Sequence, residues 1–155
     1  MKEVKPGDPA ADARIAIVAS RFNDHVVRRL LDGCTRALAE RGVPEDNITL
    51  VRVPGAFEIP VAVRALAKKG EAQAIIALGA VIRGETPHFD YIASECARGL
   101  ASIAVSEGVP VIFGVLTVND IQQALDRSGA DESNKGAEAA QAALHMIGVL
   151  RGIGG

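Results

Sequence analysis

The segment of this chain best suited to chemistry reads Gly84-Glu85-Thr86-Pro87-His88. Gly84 allows a tight turn, Thr86 is typical of a helix cap, and Pro87 suits the first helical position. Backbone N–H groups at such a helix start favour an anion, which would lie beside Glu85 and Thr86. The positive end of the helix dipole disfavours a charged imidazole, so His88 is suited to exchange protons near neutrality. The same residues also fit a capped helix whose His88 is an ordinary surface residue.

Three other positions could contact a ligand, and each also has a purely structural interpretation. Gly55 lets a ligand approach the backbone and Glu58 could accept hydrogen bonds from hydroxyl groups, but a Pro-Gly turn with a solvated glutamate also fits. Phe22 either packs on the following helix or offers a stacking face for a flat ring. Arg127 either complements the C-terminus of a short helix or binds a phosphate.

Four short apolar runs rich in Val and Ile predict the strands that position these residues: Ile15–Ser20, Ile48–Val53, Ala74–Val81 and Val111–Thr117. Helical patterns separate the runs, and a last helix is predicted from about Asn134 to Leu150. The order β-α-β-α-β-α-β-α-α indicates an α/β fold, a three-layer α/β/α sandwich of flavodoxin-like type around a four-stranded parallel sheet. Ligands of such sheets bind beyond the carboxyl ends of the strands, where the residues above fall.

The composition limits the function classes. Seventeen basic and nineteen acidic residues give a net charge of −2, which offers no broad electrostatic basis for nucleic acid binding. Long uncharged runs such as Ala72–Ile82 and Gly108–Asn119 are shorter than the roughly 20 residues that cross a bilayer, so no membrane segment is expected. No metal-ligand spacing and no dinucleotide- or triphosphate-binding glycine pattern is present. Cys34 and Cys96 are predicted to be reduced core residues of a cytoplasmic protein.

The chain is predicted to form one domain behind a short arm. Residues 1–13 contain Pro6 and Pro9 and show no periodicity, so a flexible N-terminal arm is expected. The loops after it are short, which predicts a single domain over residues 14–155. The chain has four Phe, one Tyr and no Trp. Its core must therefore be aliphatic, and an aromatic side chain in a loop is unusual.

Four motifs, in order along the chain, resemble those of the 6,7-dimethyl-8-ribityllumazine synthase family: Ser20-Arg21-Phe22-Asn23, Pro54-Gly55-Ala56-Phe57-Glu58-Ile59-Pro60, Gly84-Glu85-Thr86-Pro87-His88-Phe89-Asp90-Tyr91 and Asn134-Lys135-Gly136. The likeness extends from about Arg14 to Leu150. It implies a transferase of riboflavin biosynthesis that condenses 5-amino-6-(D-ribitylamino)uracil with 3,4-dihydroxy-2-butanone 4-phosphate. Phosphate and water are released, and no metal or organic cofactor is needed.

The resemblance also implies a role for individual residues. His88 matches the residue that transfers protons. The aminopyrimidine substrate is expected to contact Phe22, Ala56, Phe57, Glu58, Ala80, Val81, Ile82 and Phe113. The phosphate is expected to contact Glu85, Thr86, Arg127 and Lys135. Phe113 and Arg127 match positions that a neighbouring subunit supplies.

The resemblance further implies self-association, because family members form pentamers and many assemble them into a hollow 60-subunit icosahedral shell. Riboflavin synthase is a candidate partner. Two departures bear on these expectations. Asp131 stands where the family often carries a lysine, and Pro6 and Pro9 make the arm a poor strand for addition to a neighbour's sheet.

Two rival functions share the predicted fold. One is a non-catalytic module that binds a flavin or a phosphorylated metabolite, and the other is a shell scaffold. The set Phe22, Glu58, Thr86, His88 and Arg127 argues against both, because a scaffold has no need of these residues.

Overall fold

A four-stranded, all-parallel sheet in the order β2-β1-β3-β4 organises the computed structural model, which describes residues 1–154. The strands are β1 (Ile15–Ser20), β2 (Ile48–Val53), β3 (Ala74–Ile82) and β4 (Val111–Val118). The helices are α1 (Asp24–Glu40), α2 (Ile59–Lys69), α3 (His88–Glu107), α4 (Ile121–Asp126) and α5 (Lys135–Gly154). The predicted three-layer α/β/α sandwich is confirmed.

Two aliphatic cores fill the space between the sheet and its helices, because alternate residues of a strand point to opposite faces. On β1, Ile15 and Ile17 pack in the core beneath α1 and α5, whereas Ala16 and Val18 pack in the core beneath α2 and α3. All six residues of β1 are buried. A central parallel strand covered on both faces reads as a continuous apolar run, which is why the sequence predicts it well.

The parallel register brings the carboxyl ends of all four strands to one edge of the sheet. Ser20 of β1 is opposite Val53 of β2, and Ile82 of β3 is opposite Val118 of β4. The loops that leave these strands therefore emerge side by side, as the strand pattern predicted.

The two cysteines lie in the two cores. Burial raises the pKa of the Cys34 thiol to about 12 and that of Cys96 to about 11. Both thiols are consequently protonated at neutral pH and lack the thiolate needed for reactivity. Within the part of the chain that the structure describes, no helix is both long and apolar enough to cross a membrane.

The N-terminal arm follows helix α5 of its own chain. Its last residues, Ala10 and Ala13, are buried, and Asp12 pairs with Arg151 at 3.1 Å. A side chain at Gly148 would overlap the arm's backbone, so the arm and the helix approach closely there. The prolines of the arm remove backbone donors that a strand pairing would need.

Candidate active site

A cavity of about 710 Å³ opens at the carboxyl edge of the sheet, beside the starts of α2 and α3. It brings together nine of the predicted site residues: Phe22, Ala56, Phe57, Glu58, Ala80, Val81, Ile82, Thr86 and His88. Sites of this size at strand ends are typical of small-molecule binding in α/β folds.

Phe22 stands at the rim of the cavity in the loop that leaves β1. Its amide donates to the Pro54 carbonyl at 2.9 Å, which joins this loop to the segment after β2. The side chain is 72% exposed, so its ring does not form a packed staple on α1 and is free to stack on a ligand.

Asn23 supports the same loop in a way that the sequence did not indicate. It takes a left-handed conformation with φ of 59°, which asparagine tolerates better than most residues. Its side chain makes no capping hydrogen bond to α1, although it occupies the N-cap position. Instead, Nδ2 donates to the Ala80 carbonyl at 2.9 Å and fixes the Phe22 loop to the end of β3.

The second wall of the cavity is a 3-10 helix at Ala56–Glu58 rather than a simple Pro-Gly turn. The Glu58 amide donates to the Gly55 carbonyl at 3.1 Å, and α2 continues from this turn. A Cβ at position 55 would lie 3.2 Å from Glu58 Oε1, so glycine leaves room for this carboxylate. Phe57 is 56% exposed and presents a second ring to the cavity.

The loop between β3 and α3 forms the third wall, and one expectation about it is wrong. The N-cap of α3 is Pro87, not Thr86, and the helix begins at His88. With φ of −71° and ψ of 4°, Pro87 already turns the chain, and its carbonyl accepts from the Asp90 amide at 3.0 Å. Thr86 is therefore displaced from the cap and lines the cavity, next to His88 in the first helical turn.

Arg83 is a residue of this loop that sequence reasoning missed. Its guanidinium lies 4.4 Å from the centre of the Phe89 ring, and its Nε donates to Asn119 Oδ1 at 3.1 Å. It also pairs with Asp90 at 3.5 Å. The side chain thus ties the start of α3 to the end of β4. The only sequence signal for Arg83 was its position between β3 and the motif that begins at Gly84.

Three predicted site residues lie elsewhere, in a separate cavity of about 380 Å³ along the free edge of β4. These are Phe113, Arg127 and Lys135, and the two cavities share no lining residue. Arg127 Nη1 donates to the Gln123 carbonyl at 3.0 Å, so the structural interpretation of this residue at a helix C-terminus holds. Its other donors remain available, because the side chain is exposed. Glu85 is exposed in the β3–α3 loop and does not line either cavity.

Within residues 1–154, no group of three or more His, Cys, Asp and Glu side chains is arranged to hold a metal ion. The ionisable side chains lining the 710 Å³ cavity are Glu58 and His88. The chemistry available to these side chains is hydrogen bonding, proton transfer and the positioning of a flat ring between exposed aromatic residues.

Comparison with known proteins agrees with the arrangement of these residues. The family described as 6,7-dimethyl-8-ribityllumazine synthase matches residues 12–151. A protein of Halorhodospira halophila (strain DSM 244 / SL1) named 6,7-dimethyl-8-ribityllumazine synthase is 54% identical over 140 residues, which is 90% of each chain.

Proposed function

The chain belongs to the 6,7-dimethyl-8-ribityllumazine synthase family, and we propose that the 710 Å³ cavity is its active site. The chain is a transferase of riboflavin biosynthesis. It condenses 5-amino-6-(D-ribitylamino)uracil with 3,4-dihydroxy-2-butanone 4-phosphate to 6,7-dimethyl-8-ribityllumazine, with release of phosphate and water. The observation that carries the proposal is the convergence of Phe22, Glu58 and His88 on one cavity of a family member.

The cavity suits the aminopyrimidine substrate. Phe22 and Phe57 offer exposed ring faces, and stacking on a flat heterocycle needs little rearrangement of such rings. The strand-end residues Ala80, Val81 and Ile82 form an apolar wall for the pyrimidine, together with Ala56. Glu58 is an acceptor for the hydroxyl groups of the ribityl chain.

His88 is proposed as the proton-transfer residue. The reaction forms an imine, eliminates phosphate and closes a ring, so protons must be moved repeatedly. The imidazole lies in the first turn of α3 and lines the cavity, close to where the two substrates would meet. Much of the acceleration is expected to come from holding two substrates in place, because the reaction is a condensation.

The phosphate is proposed to bind where two subunits meet. Thr86 and the N-terminus of α3 supply neutral donors and a favourable dipole on one side, with Glu85 beside them. Arg127 and Lys135 supply positive charge but lie in a cavity that shares no lining residue with the first. A neighbouring subunit whose β4 edge faces this cavity would bring Arg127, Lys135 and Phe113 to it.

A heterologous contact of this kind generates a ring when its rotation closes, and we propose the closed pentamer of the family. The half-exposed Phe113 on the unpaired edge of β4 supports this, since an exposed apolar edge favours association. The alternative to an isolated pentamer is a 60-subunit shell built from pentamers. Riboflavin synthase is a further proposed partner of the assembly. The two buried, unpaired thiols support action in the cytoplasm.

The test mixes the two substrates with the protein and follows lumazine fluorescence and phosphate release together. The proposal predicts a rate above the uncatalysed background, with equal amounts of the two products. No rate above background would overturn it and favour the non-catalytic binding module or the shell scaffold. Size-exclusion chromatography with light scattering distinguishes pentamer from shell.

A further inference from the structure

We propose that Asn134 is a positioning residue for the phosphate site, acting through Arg127 and Lys135; this inference rests on the proposed function. The side chain of Asn134 is 3% exposed and directly precedes α5. It does not line the 710 Å³ cavity. Its effect on the reaction would therefore be indirect.

The Asn134 amide joins three segments of the chain. Nδ2 donates to the Arg29 carbonyl of α1 at 3.1 Å and to the Gly129 carbonyl of the α4–α5 loop at 2.7 Å. Oδ1 accepts from the Ala137 amide at 3.0 Å and so caps α5. One buried side chain thus pairs a free backbone amide at the start of α5 and fixes the α4–α5 loop to α1. Loss of any one partner would leave a buried polar group without a hydrogen bond.

Two glycines make room for this bridge. A Cβ at Gly33 would overlap the Asn134 side chain, and a Cβ at Gly136 would overlap the Leu30 carbonyl oxygen. Helices α1 and α5 therefore approach so closely that the Asn134 side chain occupies a notch in α1. The notch leaves the amide little freedom to move, which makes its hydrogen bonds well defined.

Arg29 of α1 holds the same loop from the other side. Its Nε donates to the Ser128 carbonyl at 3.0 Å, and its Nη2 donates to the Leu125 carbonyl at 3.4 Å. These carbonyls flank Arg127 in the sequence. Because α4 has only six residues, it is too short to hold its own end in place, and the contacts from α1 supply that support.

The bridge is connected directly to both phosphate-site residues. The Lys135 amide donates to the Arg127 carbonyl at 2.9 Å, and Lys135 follows Asn134 in the chain. Displacement of the loop from α1 would therefore move Arg127 and Lys135 together. Binding sites require their side chains to be held to within about 0.5 Å by such supporting contacts.

The test replaces Asn134 by serine, a neutral residue that can still cap α5 but cannot reach the two carbonyls. We expect KM for 3,4-dihydroxy-2-butanone 4-phosphate to rise by roughly tenfold, the equivalent of one charge-assisted hydrogen bond. KM for the aminouracil should be unchanged. Inorganic phosphate should bind more weakly by a similar factor in calorimetry, which is a readout independent of turnover.

Two further variants keep the proposal falsifiable. Arg29→Lys retains the charge but loses the planar donor geometry, and it should also raise KM for the phosphorylated substrate. This variant serves as the test if Asn134→Ser does not fold. Gln122→Ala is the control, because it removes a 2.8 Å hydrogen bond to Asp126 on the exposed face of α4 and leaves the bridge intact. It should change neither KM.

The outcomes separate this inference from the proposed function. Equal increases in both KM values, or an unchanged KM for the phosphorylated substrate in a folded Asn134→Ser variant, would overturn the positioning role. If the unaltered protein makes no lumazine, the proposed function fails. Phosphate calorimetry on the same variants then still decides the positioning role, since an unchanged affinity overturns it and a weakened affinity supports it.

Discussion

Truncation of Phe22 should weaken binding of the aminouracil while leaving the fold intact. Because the side chain is 72% exposed, Phe22→Ala should lower the free energy of unfolding by less than about 1 kcal/mol. This is a minor part of the stabilisation that a fully buried Phe provides. Stacking of a base on an aromatic ring is worth about 1–3 kcal/mol. Loss of that contact corresponds to a rise in KM for the aminouracil of about 5- to 150-fold.

The assay is steady-state lumazine formation with each substrate varied in turn, alongside thermal unfolding of the same preparations. Tyr91→Ala is the matched control, because Tyr91 is a 67% exposed aromatic residue of α3 that does not line the cavity. The control should leave KM for the aminouracil unchanged. If Phe22→Ala and Tyr91→Ala had the same KM, Phe22 would not be a stacking residue and the reasoning would be refuted.

Three further predictions concern the proton-transfer residue, the pH dependence of stability and helix packing. His88→Ala should slow turnover by roughly 10²–10⁴-fold without abolishing it, because positioning survives; loss of all detectable activity in a folded variant would contradict this. The hydrogen bond from Arg52 holds the pKa of the Asp24 carboxyl below its usual 3.8. The stability from this pair is therefore full above that pH and is lost as pH falls through the lowered pKa, so urea unfolding of Arg52→Ala should show a weaker acid dependence. Gly136→Ala should lower the unfolding free energy by about 1–3 kcal/mol, because the new methyl group overlaps the Leu30 carbonyl oxygen; an unchanged urea midpoint would refute it.

The fold could be predicted because its signals are local and agree with one another. Each predicted strand matches the observed strand to within one residue at its ends. For β1 and β3 the reason is burial on both sheet faces, which imposes continuous apolar runs. The cap of α3 was misassigned because Thr86 and Pro87 both suit a helix start. The backbone dihedral angles of Pro87 make it the N-cap, and these angles cannot be read from the sequence.

The candidate site could be predicted in part. Phe22, Glu58 and His88 follow different strands, and the parallel topology brings them to one cavity. The bridge at Asn134 depends on contacts with α1, about a hundred residues earlier in the chain, so no spacing rule reveals it. Phe113 and Arg127 line a separate cavity of the same chain, and only the family resemblance indicated that a neighbouring subunit supplies them to the site.

The central claim is that one active site is built from the cavity of one subunit and the Arg127 edge of the next. Co-expression of Glu58→Ala, which alters the cavity, with Arg127→Ala, which alters the edge, tests it most directly. Each variant alone should be strongly impaired. In rings formed by random mixing of equal amounts, about a quarter of the interfaces would combine an unaltered cavity with an unaltered edge. Activity should therefore recover to about a quarter of that of the unaltered protein. Mixed assemblies no more active than the average of the two separate variants would contradict the shared site.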